Sequence, residues 1–320
     1  MNPLSIRIAY FGTGNLAIPA FLTLLDSQHQ IVGLVTQPDR VGRGHHQHIN
    51  PLKQAAVERG ITVLQPDSIK AADAVEALRQ LGADLFVVAA YGQMLSTDVL
   101  AVPRLGTINI HASLLPKYRG ATPIHAAILN GDSETGVTII QIEPKMDAGP
   151  MLGVVRTDIH PDETTGQLEE RLSQMAVPLV LDVIAQIEAG TVTAVTQDPS
   201  QVTRVRKLAK PDGRIDWSRS AVEVERHVRG MQPWPGPFTE LHQLGRPAQR
   251  IQIQSVRVVA RESSGNERPG DVLLVDPDEI LVRCGDNAVQ IIQLQPDGKR
   301  PMAAPEFLRG RKLSRGDRFE

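Results

Sequence analysis

Only one cysteine, Cys284, occurs in the 320 residues, so no intrachain disulfide can form. A single thiol fits a reducing compartment. Long apolar runs are also missing: nowhere do about 18 apolar residues follow one another. The opening stretch MNPLSIRIAYFG enters a strand pattern without the charged and apolar blocks of a leader peptide. A cytoplasmic protein with no membrane partner is the expectation. There is no internal repeat and no low-complexity tract. With 41% hydrophobic and 22% charged residues, the chain reads as globular and long enough for two domains.

What is present is unevenly spread. Residues 1–203 carry 13 Lys/Arg against 20 Asp/Glu, whereas residues 204–320 carry 21 against 16. A basic second half fits either a polyanionic partner or chance drift of surface charge.

Residues 1–190 alternate strand and helix. The apolar stretches SIRIAYF, IVGLVTQ, ITVLQ, DLFVVAA and GTINIHA read as strands. Between them lie helical patterns, one with Asn50 as N-cap, Pro51 at its first position and Gly60 closing it. Such alternation predicts an α/β domain with a mostly parallel sheet and helices on both faces. TGVTIIQI and MLGVVRTDI read as further strands, and Glu163 to Ala189 as a longer helix. Residues 191–209, rich in Thr, Gln, Asp and Pro, read as an extended linker. Residues 210–320 hold a short helix capped by Ser220 and then many short strands with turn signals, the pattern of a small barrel.

Three groups of residues are candidate sites. Gly12-Thr13-Gly14-Asn15-Leu16-Ala17 fits the dinucleotide fingerprint, but the acid expected after the second strand is displaced: Asp39 lies beyond Pro38. A plain tight turn, or one lining a pocket, is the competing reading. His45, His46 and His48 allow zinc in principle, with no neighbouring Cys or carboxylate to complete a tetrahedral set; a solvated loop is the alternative. Asn109 and His111 stand two residues apart in an apolar strand and share a face. Alone they could be a satisfied core pair. SLLPKYRG then breaks the strand, Thr122-Pro123 begins a helix, and Asp147 in a Gly/Pro loop is placed to orient His111.

With those residues assembled, the chain resembles the folate-dependent formyltransferases. Asn-x-His, SLLPxxRG and a downstream Asp-x-Gly occur together and in order at Asn109, His111, Ser113 to Gly120 and Asp147. TQPDR followed by GRG, VVAAYGQML, RIDWSRSA and PWPGPF make it similar to the branch acting on methionyl-tRNA, from Ile6 to about Phe238.

The resemblance implies transfer of a formyl group from 10-formyltetrahydrofolate to the α-amino group of methionyl initiator tRNA. It implies a Rossmann-like catalytic domain over 1–190, a linker over 191–209 and an OB-like tRNA-binding barrel over 210–320. It further implies Asn109, His111 and Asp147 as the catalytic set, with Ser113, Leu114, Leu115 and Pro116 against the folate. Arg43 and Lys207 would contact the tRNA, no metal or nucleotide cofactor would be needed, and a monomer is expected. Three features depart from the family pattern. Gly14-Asn15 stands where Pro-Asp is usual, Pro150 replaces an acidic residue, and His45-His46 replaces Lys after GRG. The histidine pair implies tRNA affinity that changes between pH 6 and 8.

Overall fold

The structure is a computed structural model that describes residues 5–39, 50–261, 265–273, 278–314 and 316–320. Its contacts divide the chain into two compact units. The first comprises Met1–Ile124, Glu134–Asp158 and Leu168–Arg206; the second comprises His125–Ser133, Ile159–Gln167 and Lys207–Glu320.

The first unit opens with strand β1 (Arg7–Gly12), a short 3-10 turn, helix α1 (Ile18–Leu25) and β2 (Gln30–Val35). Helix α2 (Pro51–Glu58), β3 (Val63–Leu64), α3 (Ala72–Leu81), β4 (Leu85–Ala89), α4 (Thr97–Leu100) and β5 (Thr107–His111) follow. Asn50 caps α2 as its sequence predicts, its side chain accepting from Leu52 N at 3.0 Å. Strands β6 (Arg119–Gly120), β7 (Glu134–Gln141) and β8 (Met151–Asp158), most of α6 (Thr165–Ala189) and β9 (Arg204–Val205) complete the unit, while α5 (Pro123–Asn130) falls mostly in the second unit.

The sheet runs β3-β2-β1-β4-β5-β7-β8. Its first five members are mutually parallel, and β7 and β8 close it as an antiparallel edge. The mostly parallel expectation holds, and the reason is visible in burial: β4 is buried at every position, as a strand covered on both faces must be. Strand order reverses between β1 and β4, and in such sheets ligands bind beyond the carboxyl ends at that point. Gly12 pairs with Ala89 and Ala89 with Ile110, so the ends of β1, β4 and β5 lie along one rim.

Helix α6 is the one described helix long and apolar enough to cross a membrane. It is a core helix here. Leu168, Leu172, Ala176, Val180, Val183 and Ile184 recur at three- and four-residue spacing and are all fully buried.

The stretch after α6 is extended, as its composition predicts, yet it is packed within the first unit. Val195 exchanges both backbone hydrogen bonds with Met151 at 2.8 Å. Further on, β9 pairs in parallel with β6, Arg204 opposite Arg119 and Val205 opposite Gly120.

The second unit contains α7 (Ala221–Gly230), β10 (Phe238–His242), β11 (Gln249–Val259), β12 (Val272–Leu273), β13 (Ile280–Arg283), β14 (Ala288–Pro296), β15 (Met302–Ala303), α8 (Ala304–Gly310) and β16 (Arg318–Phe319). Ser220 caps α7 with Glu223 returning the bond, a capping box. The sheet order β12-β13-β14-β11-β10-β16 is antiparallel throughout, and a bridge between Asp271 and Arg318 brings its two edges together. The result is a barrel with few free edge groups. Its core gathers Trp217, Val224, Val228, Leu241, Ile253, Val289, Phe307 and Phe319. The Trp217 indole N–H donates to Thr239 Oγ1 at 2.9 Å, which satisfies the one polar atom that burial would strand.

Candidate active site

His111 is the last residue of β5 and is buried, with 5% exposure. Its Nε2 lies 3.0 Å from the carbonyl oxygen of Tyr118. A carbonyl only accepts, so this nitrogen carries a proton in either charge state of the ring. That leaves Nδ1 as the nitrogen open to another partner, and it lies 3.8 Å from Asp147 Oδ2. That separation is longer than a direct hydrogen bond, and contacts of this kind can tighten on substrate binding. Asn109 is half-buried on the same face of β5. Among the described residues its side-chain amide has no hydrogen-bond partner, so its donors remain available at the rim.

Asp147 sits in the turn joining β7 to β8, with φ at +48°. Few residues other than glycine and Asn/Asp accept that left-handed conformation. The turn is closed tightly: Gln141 N donates to Pro150 O at 3.0 Å and Ala148 N to Lys145 O at 3.2 Å. A Cβ on Gly149 would sit inside van der Waals contact of the Gln141 carbonyl, which explains the glycine two residues after the acid. Asp147 Oδ2 accepts from Gly120 N at 2.7 Å, which aims one oxygen toward His111.

The loop after β5 is organised from below. Thr138 of β7 donates its hydroxyl to Ser113 O at 2.7 Å and accepts from Leu115 N at 3.2 Å. Ser113 is buried, and its hydroxyl donates to Lys117 O at 2.7 Å. Leu115, also buried, precedes a cis peptide to Pro116, and Leu114 and Pro116 are half-buried. Of the expected folate-side residues, Ser113 therefore spends its hydroxyl on the loop itself. Lys207 is exposed, outside this cluster in sequence. Arg43, His45, His46 and His48 lie outside the described residues. Among the described residues, no three His, Cys, Asp or Glu side chains are grouped for a metal ion.

The glycine-rich turn after β1 serves packing and local bonding. Glu169 of α6 accepts a backbone hydrogen bond from Leu16, and burial pushes its carboxyl upward against that bond. An acid in this place opposes a pyrophosphate. Asp39, the displaced acid, is tied to Lys53 and Gln65, whose hydrogen bonds hold its carboxyl below the ordinary range. Both features disfavour the dinucleotide reading.

Sequence reasoning gave no role to Tyr118, Gly120, Thr138, Gln197 and Thr203, each of which reaches the cluster by a hydrogen bond with a main-chain atom on one side. Thr138 carried a faint signal, a hydroxyl in the apolar run VTII.

Comparison with known proteins follows the same lines. Residues 6–184 match the family described as Formyl transferase, and residues 207–312 match Formyl transferase, C-terminal domain. The chain is 40% identical over 307 residues to the methionyl-tRNA formyltransferase of Pseudoalteromonas translucida, covering 96% of this chain and 94% of that protein. It is 41% identical over 310 residues to the methionyl-tRNA formyltransferase of Methylococcus capsulatus, covering 97% and 98%. Among solved structures, WlaRD, a sugar 3N-formyl transferase, superposes with a TM-score of 0.64 at 17% identity, covering 93% of this chain and all of that one. HypX from Aquifex aeolicus in complex with tetrahydrofolic acid gives a TM-score of 0.63 at 17% identity, covering 95% of this chain. The chain spans about half of HypX, 47% of its length. These two likenesses concern the fold.

Proposed function

Because the chain belongs to the methionyl-tRNA formyltransferase family, we propose that Asn109, His111 and Asp147 are the side chains that carry its reaction. The enzyme formylates methionyl-tRNA, the product with which translation begins. The donor in this reading is 10-formyltetrahydrofolate, the acceptor is the initiator tRNA, and the reaction takes place in the cytoplasm. Ser113 to Pro116 line the folate site, Ser113 by shaping the turn and Leu114 to Pro116 by apolar contact. Arg43 and Lys207 meet the tRNA, whose phosphates also account for the basic excess of residues 204–320.

The chemistry follows from charge. The α-amine attacks the formyl carbon, its lone pair forms the new C–N bond, and negative charge builds on the formyl oxygen. The Asn109 amide donates to that oxygen, a contribution of about 3 kcal/mol where such a donor has been removed in other acyl-transfer sites. The amine must then lose a proton, and N10 of the folate must gain one as its bond to carbon breaks. His111 cannot use Nε2, which is bonded to Tyr118. Nδ1 and Asp147 Oδ2 therefore form the pair that holds the proton between these events.

The observation that carries the site reading is the meeting of His111 Nδ1 and Asp147 Oδ2 at the rim. Its test is direct: mix the protein with 10-formyltetrahydrofolate and methionyl-tRNA and follow formyl-methionyl-tRNA. Absence of product, or undiminished product from His111→Ala and Asp147→Asn, overturns it. Product with an amino sugar in place of methionyl-tRNA would instead favour a second reading, a folate-dependent N-formyltransferase acting on an amino sugar or other small amine.

A further inference from the structure

We propose that Gln197, in the stretch that composition marks as linker, is a positioning residue for Asp147. The inference rests on the reading of Asp147 as a catalytic group. Gln197 is 4% exposed, unusual for a side chain in an extended polar segment. Its Nε2 donates to two carbonyls of the acid's own turn, Asp147 O at 2.8 Å and Gly149 O at 2.7 Å. Its Oε1 accepts from Arg119 Nε at 3.0 Å and Nη2 at 2.7 Å. Carbonyls only accept and a guanidinium only donates, so the amide can face one way alone. Both hydrogens and both lone pairs are used.

The bonds close a circuit. Arg119 is followed by Gly120, whose N–H donates to the Asp147 carboxylate at 2.7 Å. Gln197 thus grips the main chain of Asp147 while, through Arg119, it sets the donor that grips the same residue's side chain. A residue held at φ +48° needs such outside support, because its local preference is to relax. The same segment reaches the histidine a few residues later. Thr203 Oγ1 accepts from Tyr118 N at 2.7 Å, and Thr203 O accepts from Arg119 N at 2.9 Å. Tyr118 also has a left-handed φ, +62°, and its carbonyl is the one that orients His111. Residues 197–206 therefore act as a strap that sets the acid through Gln197 and the base through Thr203. Gln197 touches main chain and Arg119 rather than the reacting groups, so its effect on turnover is exerted through Asp147.

The test uses the full-length enzyme and Gln197→Glu, which keeps the side chain's length and the acceptor facing Arg119 but loses the paired donors to Asp147 O and Gly149 O. The expected result is a fall in kcat of about 10- to 100-fold, the usual penalty of a misplaced group. KM for methionyl-tRNA should stay within about twofold. In an Asp147→Asn background the same change should lower kcat by less than about twofold, since the group it positions is gone. Urea denaturation reports folding. If Gln197→Glu does not fold, Gln197→Met, which keeps the length and removes the same donors, is read the same way against Asp147→Asn. Wild-type kcat in Gln197→Glu, or an undiminished further drop in the double variant, overturns the inference while leaving the site reading intact. Undiminished activity in Asp147→Asn overturns the site reading and this inference with it.

Discussion

The carbonyl oxygen of Tyr118 lies 3.0 Å from Nε2 of His111, and this contact decides which nitrogen of the ring can do chemistry. Nitrogen NMR on the labelled enzyme should find the neutral ring protonated at Nε2. A proton on Nδ1 in the neutral ring would contradict the assignment. His111→Ala should lower kcat by about 100- to 10,000-fold, the range expected for a positioned acid–base group. Asp147→Asn, which keeps the shape, should fall within the same range.

Thr138 bridges Ser113 O and Leu115 N from beneath the loop, at 2.7 and 3.2 Å. Thr138→Val preserves the outline and strands both groups. The expected loss is about 1–3 kcal/mol, seen as a lower urea midpoint with unchanged slope. Activity should fall further than stability alone explains, because this loop carries the partner of His111.

Gly149→Ala presses a methyl group against the Gln141 carbonyl. Relieving that contact must open the turn that holds Asp147. A destabilisation of roughly 1–3 kcal/mol is expected from overpacking, together with a kcat effect like that of Asp147→Asn. Thermal unfolding and steady-state kinetics on one preparation check both.

Three histidines make stability depend on pH. Burial lowers the pKa of His29 against an opposing Glu188, of His125 against a bond to the Trp234 carbonyl, and of His227 against a bond to the Gly213 carbonyl. Folding favours their neutral forms, so below the ordinary value of about 6.5 the unfolded chain binds more protons. Stability should be complete above that pH and decline as pH falls through the lowered native values. Urea midpoints at pH 7.5 and 5.5 measure it, and His227→Gln should shrink the difference. A flat response would refute the account.

Affinity for methionyl-tRNA should fall with salt, with a log–log slope of about −0.9 for each phosphate contact on duplex tRNA. Lys207→Ala should reduce the magnitude of that slope by about one. Replacing His45 and His46 by Lys should remove the change in tRNA affinity between pH 6 and 8. Equal KM shifts for the natural and replaced proteins would refute the histidine effect.

Much of this was readable in the chain. Asn50 and Ser220 announced their helices because a cap needs only a local side chain and the next turn's N–H groups. The strand alternation announced the sheet, since covered parallel strands must be apolar throughout. Asn109, His111 and Asp147 were visible as polar residues placed where apolar ones or bare turns belong. Gln197 and Thr203 were not visible. Apart from the Arg119 guanidinium, their partners are backbone atoms of residues remote in sequence, and a backbone atom leaves no mark on composition or spacing. The segment's polar content is mostly turned to water, as at Thr193, Asp198 and Gln201, while Gln197 turns inward to main chain.

The pairing of β6 with β9 has a consequence for synthesis. Arg119 meets Arg204, so the loop that orients His111 and Asp147 lacks its support until the chain has been made as far as Arg206. On the proposed reading of the site, a ribosome that has finished the sheet and α6 should therefore hold a folded body in which His111 and Asp147 are not yet set. Fragments ending at residue 190 and at residue 206 should differ sharply in formyl transfer to a small amine while resembling each other in sheet content.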